Sequence, residues 1–178
     1  AALLMIGLFS GCTKNSQEIL IGEFGSMTGS EATFGTSTHK GIELAFDEVN
    51  SAGGINGKKL KLISLDDQGK AEEANAAVTR LVTQNKVVAL LGEVASSRSL
   101  AAAPIAQQHK IPMISPSSTN PKVTEIGDYI FRVCFIDPFQ GWVMARFATN
   151  DLKVKRVAVL RDAKNDYSVG LADVFVES

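Results

Sequence analysis

The chain has 178 residues, 45% of them hydrophobic and 7% aromatic, with 18 basic and 19 acidic side chains and a net charge of −1. That length and composition suit one globular domain, or one and a fraction, with enough apolar residues for a core. The balanced charge, without long blocks of one sign, argues against a polyanion-binding surface, and nucleic acid is not an expected partner.

Ala1–Gly11 (AALLMIGLFSG) carries no charge and ends in small residues directly before Cys12, the pattern of a secretory h-region and cleavage site over 1–11. The run is too short to span a bilayer as a helix, and without Met or a basic n-region a few residues are expected to be missing from the start. Phe9-Ser10-Gly11-Cys12 resembles a bacterial lipobox, in which cleavage leaves the Cys as a lipid-modified N-terminus. A plain signal peptide is the alternative, since Leu is commoner where Phe9 stands. The polar residues 12–17 would then form a tether. Cys134, within the apolar run Ile130–Ile136, is read as a buried small hydrophobe rather than a nucleophile or ligand.

Glu18–Phe24 reads as a strand, with Gly25-Ser26-Met27-Thr28-Gly29 as the loop at its carboxyl end. From Ser37 to Ala52, Ile42, Ala45, Phe46 and Val49 recur with helical spacing, and Gly53-Gly54 stops the helix. Lys58–Leu65 alternates as a strand and closes at Asp66-Asp67-Gln68-Gly69, whose two carboxylates are read as solvated rather than as metal ligands. Glu72–Gln84 predicts a helix with Ala74, Ala77, Val78, Leu81 and Val82 on one face.

Two short apolar runs follow, Val87–Leu91 and Ile111–Ile114, the second giving a strand at Pro112–Ser115. Each ends in a small-polar cluster: Ser96-Ser97 after the first, and Ser115-Pro116-Ser117-Ser118-Thr119-Asn120 after the second. Between them Ser99–His109 has the length of a crossover helix, limited or kinked by Pro104. Loops after the carboxyl ends of neighbouring parallel strands meet at a crevice where ligands bind. Tyr129–Phe135 predicts another strand. Asp137-Pro138 opens a helix with Asp137 as N-cap and an apolar stripe of Phe139, Trp142, Val143 and Phe147. Arg156–Leu160 reads as a buried strand and Tyr167–Val176 as a helix, so the chain ends inside the pattern like the first part of a longer protein. The repeated alternation predicts an α/β fold, a parallel sheet with helices on both faces.

Motifs for catalysis are missing. His39 and His109 fall on predicted helices without a nucleophile nearby in sequence, and there is no Gly-x-Ser-x-Gly elbow. Gly22, Gly25 and Gly29 have the wrong spacing for a dinucleotide turn, and Gly53-Gly54-Ile55-Asn56-Gly57 lacks the Lys-Ser/Thr of a phosphate loop. No enzyme activity, cofactor or metal is expected. The seryl and threonyl hydroxyls of the crevice, set where helix N-termini point, suit a carboxylate, although Ser and Thr favour N-caps and turns in any case.

The ordered set of segments resembles the type I periplasmic binding proteins of the branched-chain amino acid class, the Leu/Ile/Val-binding family of ABC importers. It is carried by Met27-Thr28-Gly29, Phe34-Gly35, Gly41-Ile42-Glu43-Leu44-Ala45, Asn50-Ser51-Ala52-Gly53-Gly54-Ile55-Asn56-Gly57 and Asp66-Asp67-Gln68-Gly69. Gly92 with Ser96-Ser97, Ala103-Pro104-Ile105-Ala106, Ile114 to Pro121, Phe131-Arg132 and Asp137-Pro138-Phe139-Gln140-Gly141 continue it.

The resemblance implies a two-lobed clamshell, with 18–136 as a nearly whole first lobe and 137–178 as the crossover and start of the second. It implies that Ser96 with its neighbouring backbone, Ser97 included, and the hydroxyl and N–H of Thr119 receive an α-carboxylate. The carbonyl of Ser117 and the Thr119 hydroxyl would face the ammonium, with Ser118 in the same loop and Phe34 and Tyr167 packing on the ligand. An acidic partner for the ammonium is expected from the second lobe, and Asp137, at the crossing, is assigned to helix capping. Implied partners are an amino acid or close analogue, an ABC permease and, through the N-terminal lipid, the membrane, for an extracytoplasmic monomer. The alternative is the ligand-binding module of a signalling receptor for amides or small acids. Two departures stand out: Arg98 replaces a small polar residue and is read as solvated, and the cysteine pair of some members is missing. The chain by itself is expected to bind ligand weakly, since one open lobe leaves a head group in water.

Overall fold

The computed structural model describes residues 18–178. The leader, Cys12 and the tether lie outside the described residues. Five strands, β1 (Glu18–Gly25), β2 (Lys59–Asp66), β3 (Ala89–Leu91), β4 (Met113–Ser115) and β5 (Ile130–Arg132), form one sheet in the order β2-β1-β3-β4-β5. Every pairing is parallel, as repeated crossover through helices requires.

The helices are α1 (Ala32–Ser51), α2 (Ala71–Thr83), α3 (Ser96–His109), the one-turn α4 (Lys122–Glu125), α5 (Asp137–Arg146) and α6 (Asp166–Glu177). A π-helical turn, Phe147–Asp151, extends α5. Strand alternation divides β1 between two layers. Phe24 joins the core with Leu81, Val78, Leu90, Ala102, Ala106 and Met113, under α2 and α3. Glu23 points the other way, to His39 of α1. The expected α2 stripe, Ala74, Ala77, Val78, Leu81 and Val82, is buried throughout. Gly22 lets this layer close on the sheet, since a Cβ there would lie 3.0 Å from Leu90 and 3.1 Å from Leu81.

Several expectations are corrected. Helix α1 starts at Ala32 rather than Ser37, and α3 starts at Ser96 and runs through the exposed Pro104 to His109. β5 ends at Arg132 instead of Phe135, because its partner β4 ends at Ser115 and Pro116 has no N–H with which to continue the ladder. Val133 and Phe135 are consequently exposed and Cys134 is half-buried, not a core residue. Residues 156–160 form no strand, having no neighbouring strand to pair with among the described residues, and Leu160 is fully exposed. The stripe of α5 faces outward: Phe139, Trp142, Val143 and Phe147 are exposed, whereas Gly141 packs against α6, where a Cβ would lie 2.6 Å from Val174.

Candidate functional site

The loops after β1, β3 and β4 meet at the carboxyl edge of the sheet, and hydrogen bonds join them. Ser118, fully buried after β4, places its hydroxyl 2.9 Å from the carbonyl of Glu93 and 3.2 Å from that of Val94, in the loop after β3. Asn120 donates its N–H to Ser96 Oγ at 3.2 Å. Thr119 therefore sits between two residues tied to the start of α3. Its own hydroxyl is buried and completes no hydrogen bond, although the Asp137 carboxyl is close enough to feel it. Helix α3 begins with no side chain capping its first turn, so its N–H groups open toward the same edge.

The other expected residues are distributed around this centre. Ser117 is exposed and donates to the Val94 carbonyl at 3.1 Å. Ser97 Oγ accepts the N–H of Asp166 at 2.9 Å, and the Asn120 side chain donates to the Asp166 carbonyl at 3.0 Å, so both hold the first turn of α6. Tyr167 stands next on that helix, its hydroxyl accepting from Gln140 at 3.1 Å. Phe34, 65% exposed on the first turn of α1, lies outside the hydrogen-bonded group. Its neighbour Gly35 packs on the β1 loop so closely that a Cβ would lie 2.0 Å from the Ser26 carbonyl.

Three charged residues depart from their sequence reading. Arg98 is 6% exposed, not solvated: its guanidinium pairs with Glu31, and its Nε lies 3.1 Å from Glu93 Oε2. That contact is close in distance but off-line for a hydrogen bond. Burial works against the Arg98 charge, and the ion pairs outweigh it, raising its pKa. Asp67 is fully buried, whereas the partly exposed Asp66 binds the loop after β1, accepting from Met27 N at 2.9 Å and from the Thr28 hydroxyl at 2.5 Å. Burial pushes the Asp67 carboxyl up; on Asp66 the hydrogen bonds from Thr28, Gln68 and Met27 overcome burial and hold it down.

Asp137 is not an N-cap. The cap position is Ile136, and the Asp137 carboxyl is fully buried with neither oxygen completing a hydrogen bond. Burial pushes it up, while the Thr119 hydroxyl and the Arg132 guanidinium act in the other direction without outweighing burial. One oxygen would stand 3.4 Å from a Cβ at Gly170, which places the acid between the Thr119 loop and α6.

Sequence reading missed Glu93 and Arg132. Arg132 donates to the carbonyls of Ser118, Asn120 and Pro121 at 2.7, 2.8 and 2.9 Å and so clamps the loop from below. Glu93 carries a signal of its own, a single acid set between Gly92 and Val94 directly after a buried strand.

An all-parallel sheet whose strand-end loops converge in hydroxyls and helix N–H groups, with a second helical element tied to that edge, defines the class: an α/β ligand-binding fold. The chain belongs to the periplasmic binding protein family, whose model matches residues 18–178. An amino acid binding protein of Pseudomonas aeruginosa is 40% identical over 173 residues, 97% of this chain and 46% of that protein. The crystal structure of a leucine binding protein, LivK, from Thermotoga maritima superposes with a TM-score of 0.85 at 43% identity, covering 89% of this chain and 45% of that one. The branched-chain amino acid transporter substrate binding protein LivJ of Streptococcus pneumoniae, in complex with isoleucine, gives 0.87 at 39% identity, covering 90% and 46%. The chain thus spans about half the length of the relatives it matches.

Proposed function

We propose that the chain forms part of an extracytoplasmic substrate-binding protein of an ABC importer that takes a branched-chain or related amino acid by its carboxylate and ammonium. In this reading 18–136 is the first lobe and 137–178 the crossover into the second. Ser96, Ser97 and the N–H groups opening α3, with the hydroxyl and N–H of Thr119, receive the carboxylate, and the Ser117 carbonyl faces the ammonium. Ser118 holds the loop, and Phe34 and Tyr167 flank the ligand.

The observation that carries this is the Thr119 hydroxyl, buried between two loop anchors beside the Asp137 carboxyl and completing no hydrogen bond. A buried polar group is normally satisfied, and a zwitterion stripped of water needs several donors and acceptors of this kind. The relatives whose names carry Leu, Ile and Val, and the isoleucine bound in a neighbour 39% identical, support the ligand class.

Calorimetric titration of the full-length protein with a panel of amino acids and amides tests it. Binding of an aliphatic amino acid, lost in a Thr119→Val variant that still folds, is the expected result; no binding anywhere in the panel contradicts it. We further propose that Cys12 is lipidated and holds the protein at the membrane beside its permease. Fatty-acid labelling that persists in a Cys12→Ala variant would contradict this.

A further inference from the structure

Glu93 is in contact with more of the site than any of the hydroxyls expected to touch ligand. Its carbonyl oxygen lies 3.0 Å from Ser99 Oγ of α3, 2.6 Å from Ser115 Oγ at the end of β4 and 2.9 Å from Ser118 Oγ. A carbonyl has two lone pairs, and Ser99 and Ser118 are themselves 2.8 Å apart, so one of these two passes its hydrogen to the other. The Glu93 carboxylate, fully buried, reaches the remaining elements. Oε1 accepts from Ser26 N at 3.2 Å and lies 3.0 Å from Ser26 Oγ; Oε2 accepts from Ala95 N, directly before α3.

We propose that Glu93 is the positioning residue of the cradle: its carbonyl fixes the Ser117–Asn120 loop and its carboxylate fixes the start of α3, so that Thr119 and the first-turn N–H groups converge on one head group. The inference rests on the amino-acid-binding reading above.

Counting hydrogens adds a second property. Ser26 Oγ is 2.9 Å from Asp67 Oδ1 and 3.0 Å from Glu93 Oε1, yet a hydroxyl has one hydrogen. For both contacts to be hydrogen bonds, one of the two carboxyls carries a proton. The groups facing the pair agree with this. Among the described residues Arg98 is the one cation acting on the pair; Glu31 shares it, and Asp66 adds a further negative charge beside Asp67. Burial accordingly pushes both carboxyls up. Loss of the shared proton leaves one hydroxyl hydrogen for two carboxylates, so one of them faces the Ser26 lone pairs and the other carboxylate, which forces the loop after β1 away from the loop after β3. Glu93 then stops holding α3 in place, and affinity falls as pH rises.

The test uses the full-length protein with L-leucine as the probe. Glu93→Gln sets an amide N–H₂ against one of two backbone N–H donors, that of Ser26 or that of Ala95, and it should raise Kd by at least about tenfold. Amide exchange at 95–99 and 117–120 should rise by a similar factor, about tenfold, with β1 and β2 unchanged. Asp67→Asn can donate an amide N–H to Ser26 Oγ, which leaves the hydroxyl hydrogen for Glu93 and removes the need for a carboxyl proton. It should bind tightly and flatten the pH profile, whereas wild-type affinity falls relative to it by about tenfold as pH rises through the loss of the shared proton. A folded Glu93→Gln variant matching wild type in both affinity and exchange overturns the proposal. If that variant does not fold, the Asp67→Asn comparison decides, and identical pH profiles overturn it. If wild type binds no amino acid, the failure falls on the proposed function, and the exchange measurement, made without ligand, still decides the role of Glu93.

Discussion

Ser97 Oγ accepts the backbone N–H of Asp166 at 2.9 Å, joining the first turn of α3 to the first turn of α6 across 69 residues. Asn120 strengthens the same junction from the loop after β4, donating to the Asp166 carbonyl, accepting from Lys122 N and giving its own N–H to Ser96. Two variants separate the strengths of these ties. Ser97→Ala removes one solvent-exposed bond from a half-buried residue and should cost about 0.5–1.5 kcal/mol. Asn120→Ala keeps the backbone bond to Ser96 but leaves the part-buried Asp166 carbonyl and Lys122 N–H without their partners, and should cost about 2–3 kcal/mol. Urea unfolding of both variants checks the order, and a larger loss at Ser97 would contradict it.

Arg98 is the counter-ion of a buried acid, so its loss leaves Glu93 uncompensated. Arg98→Met should destabilise the fold by about 3–5 kcal/mol, far more than a surface arginine, whose pairs contribute about 0–1 kcal/mol. Denaturant midpoints of wild type and variant at neutral pH measure this, and a shift worth under about 1 kcal/mol would return Arg98 to the solvated role read from sequence.

His39 links α1 to the sheet through its Nδ1, 2.6 Å from Glu23 Oε2, with Glu43 3.3 Å from its other nitrogen. The hydrogen bond to Glu23 raises the His39 pKa above 6.5 despite opposing burial, with smaller contributions from the charges of Glu23 and Glu43. A raised folded-state pKa means that the stability from this pair is fully present below 6.5 and is lost as pH rises through the folded value. Melting temperature should therefore decline over that window in wild type and not in His39→Gln. An NMR titration placing the ring below 6.5 would contradict the direction.

Gly35 has no room for a side chain: a Cβ would lie 2.0 Å from the Ser26 carbonyl oxygen, which is backbone and cannot swing aside. Gly35→Ala should push the first turn of α1, with Phe34, off the loop after β1 and cost about 1–3 kcal/mol. Unfolding measurements check the cost, and a variant as stable as wild type would show that α1 shifts freely.

Much of this architecture is legible in the sequence because it rests on local patterns. The five apolar positions of α2 recur at helical spacing and are buried together, and the strand-end serines fall on the carboxyl edge that alternation of strands and helices assigns them. What escaped depends on partners distant in the chain. Arg98 looks like a surface residue until Glu31, 67 positions away, folds onto it. Asp137 precedes a proline in the manner of a helix cap, yet the helix takes Ile136 as its cap and buries the acid beside Thr119. The 156–160 run has the composition of a strand, but a strand exists only against a neighbour.

The central claim is that the Ser96 and Thr119 cradle recognises an amino-acid head group, and the most direct measurement compares two ligands sharing one side chain. Calorimetry of the full-length protein with L-leucine and with 3-methylbutylamine, which keeps the ammonium and lacks the carboxylate, isolates the group aimed at α3. L-leucine should bind and the amine should bind at least about a thousandfold more weakly, as a site built around hydrogen bonds to a missing group demands. Affinities within about tenfold of each other would contradict the account.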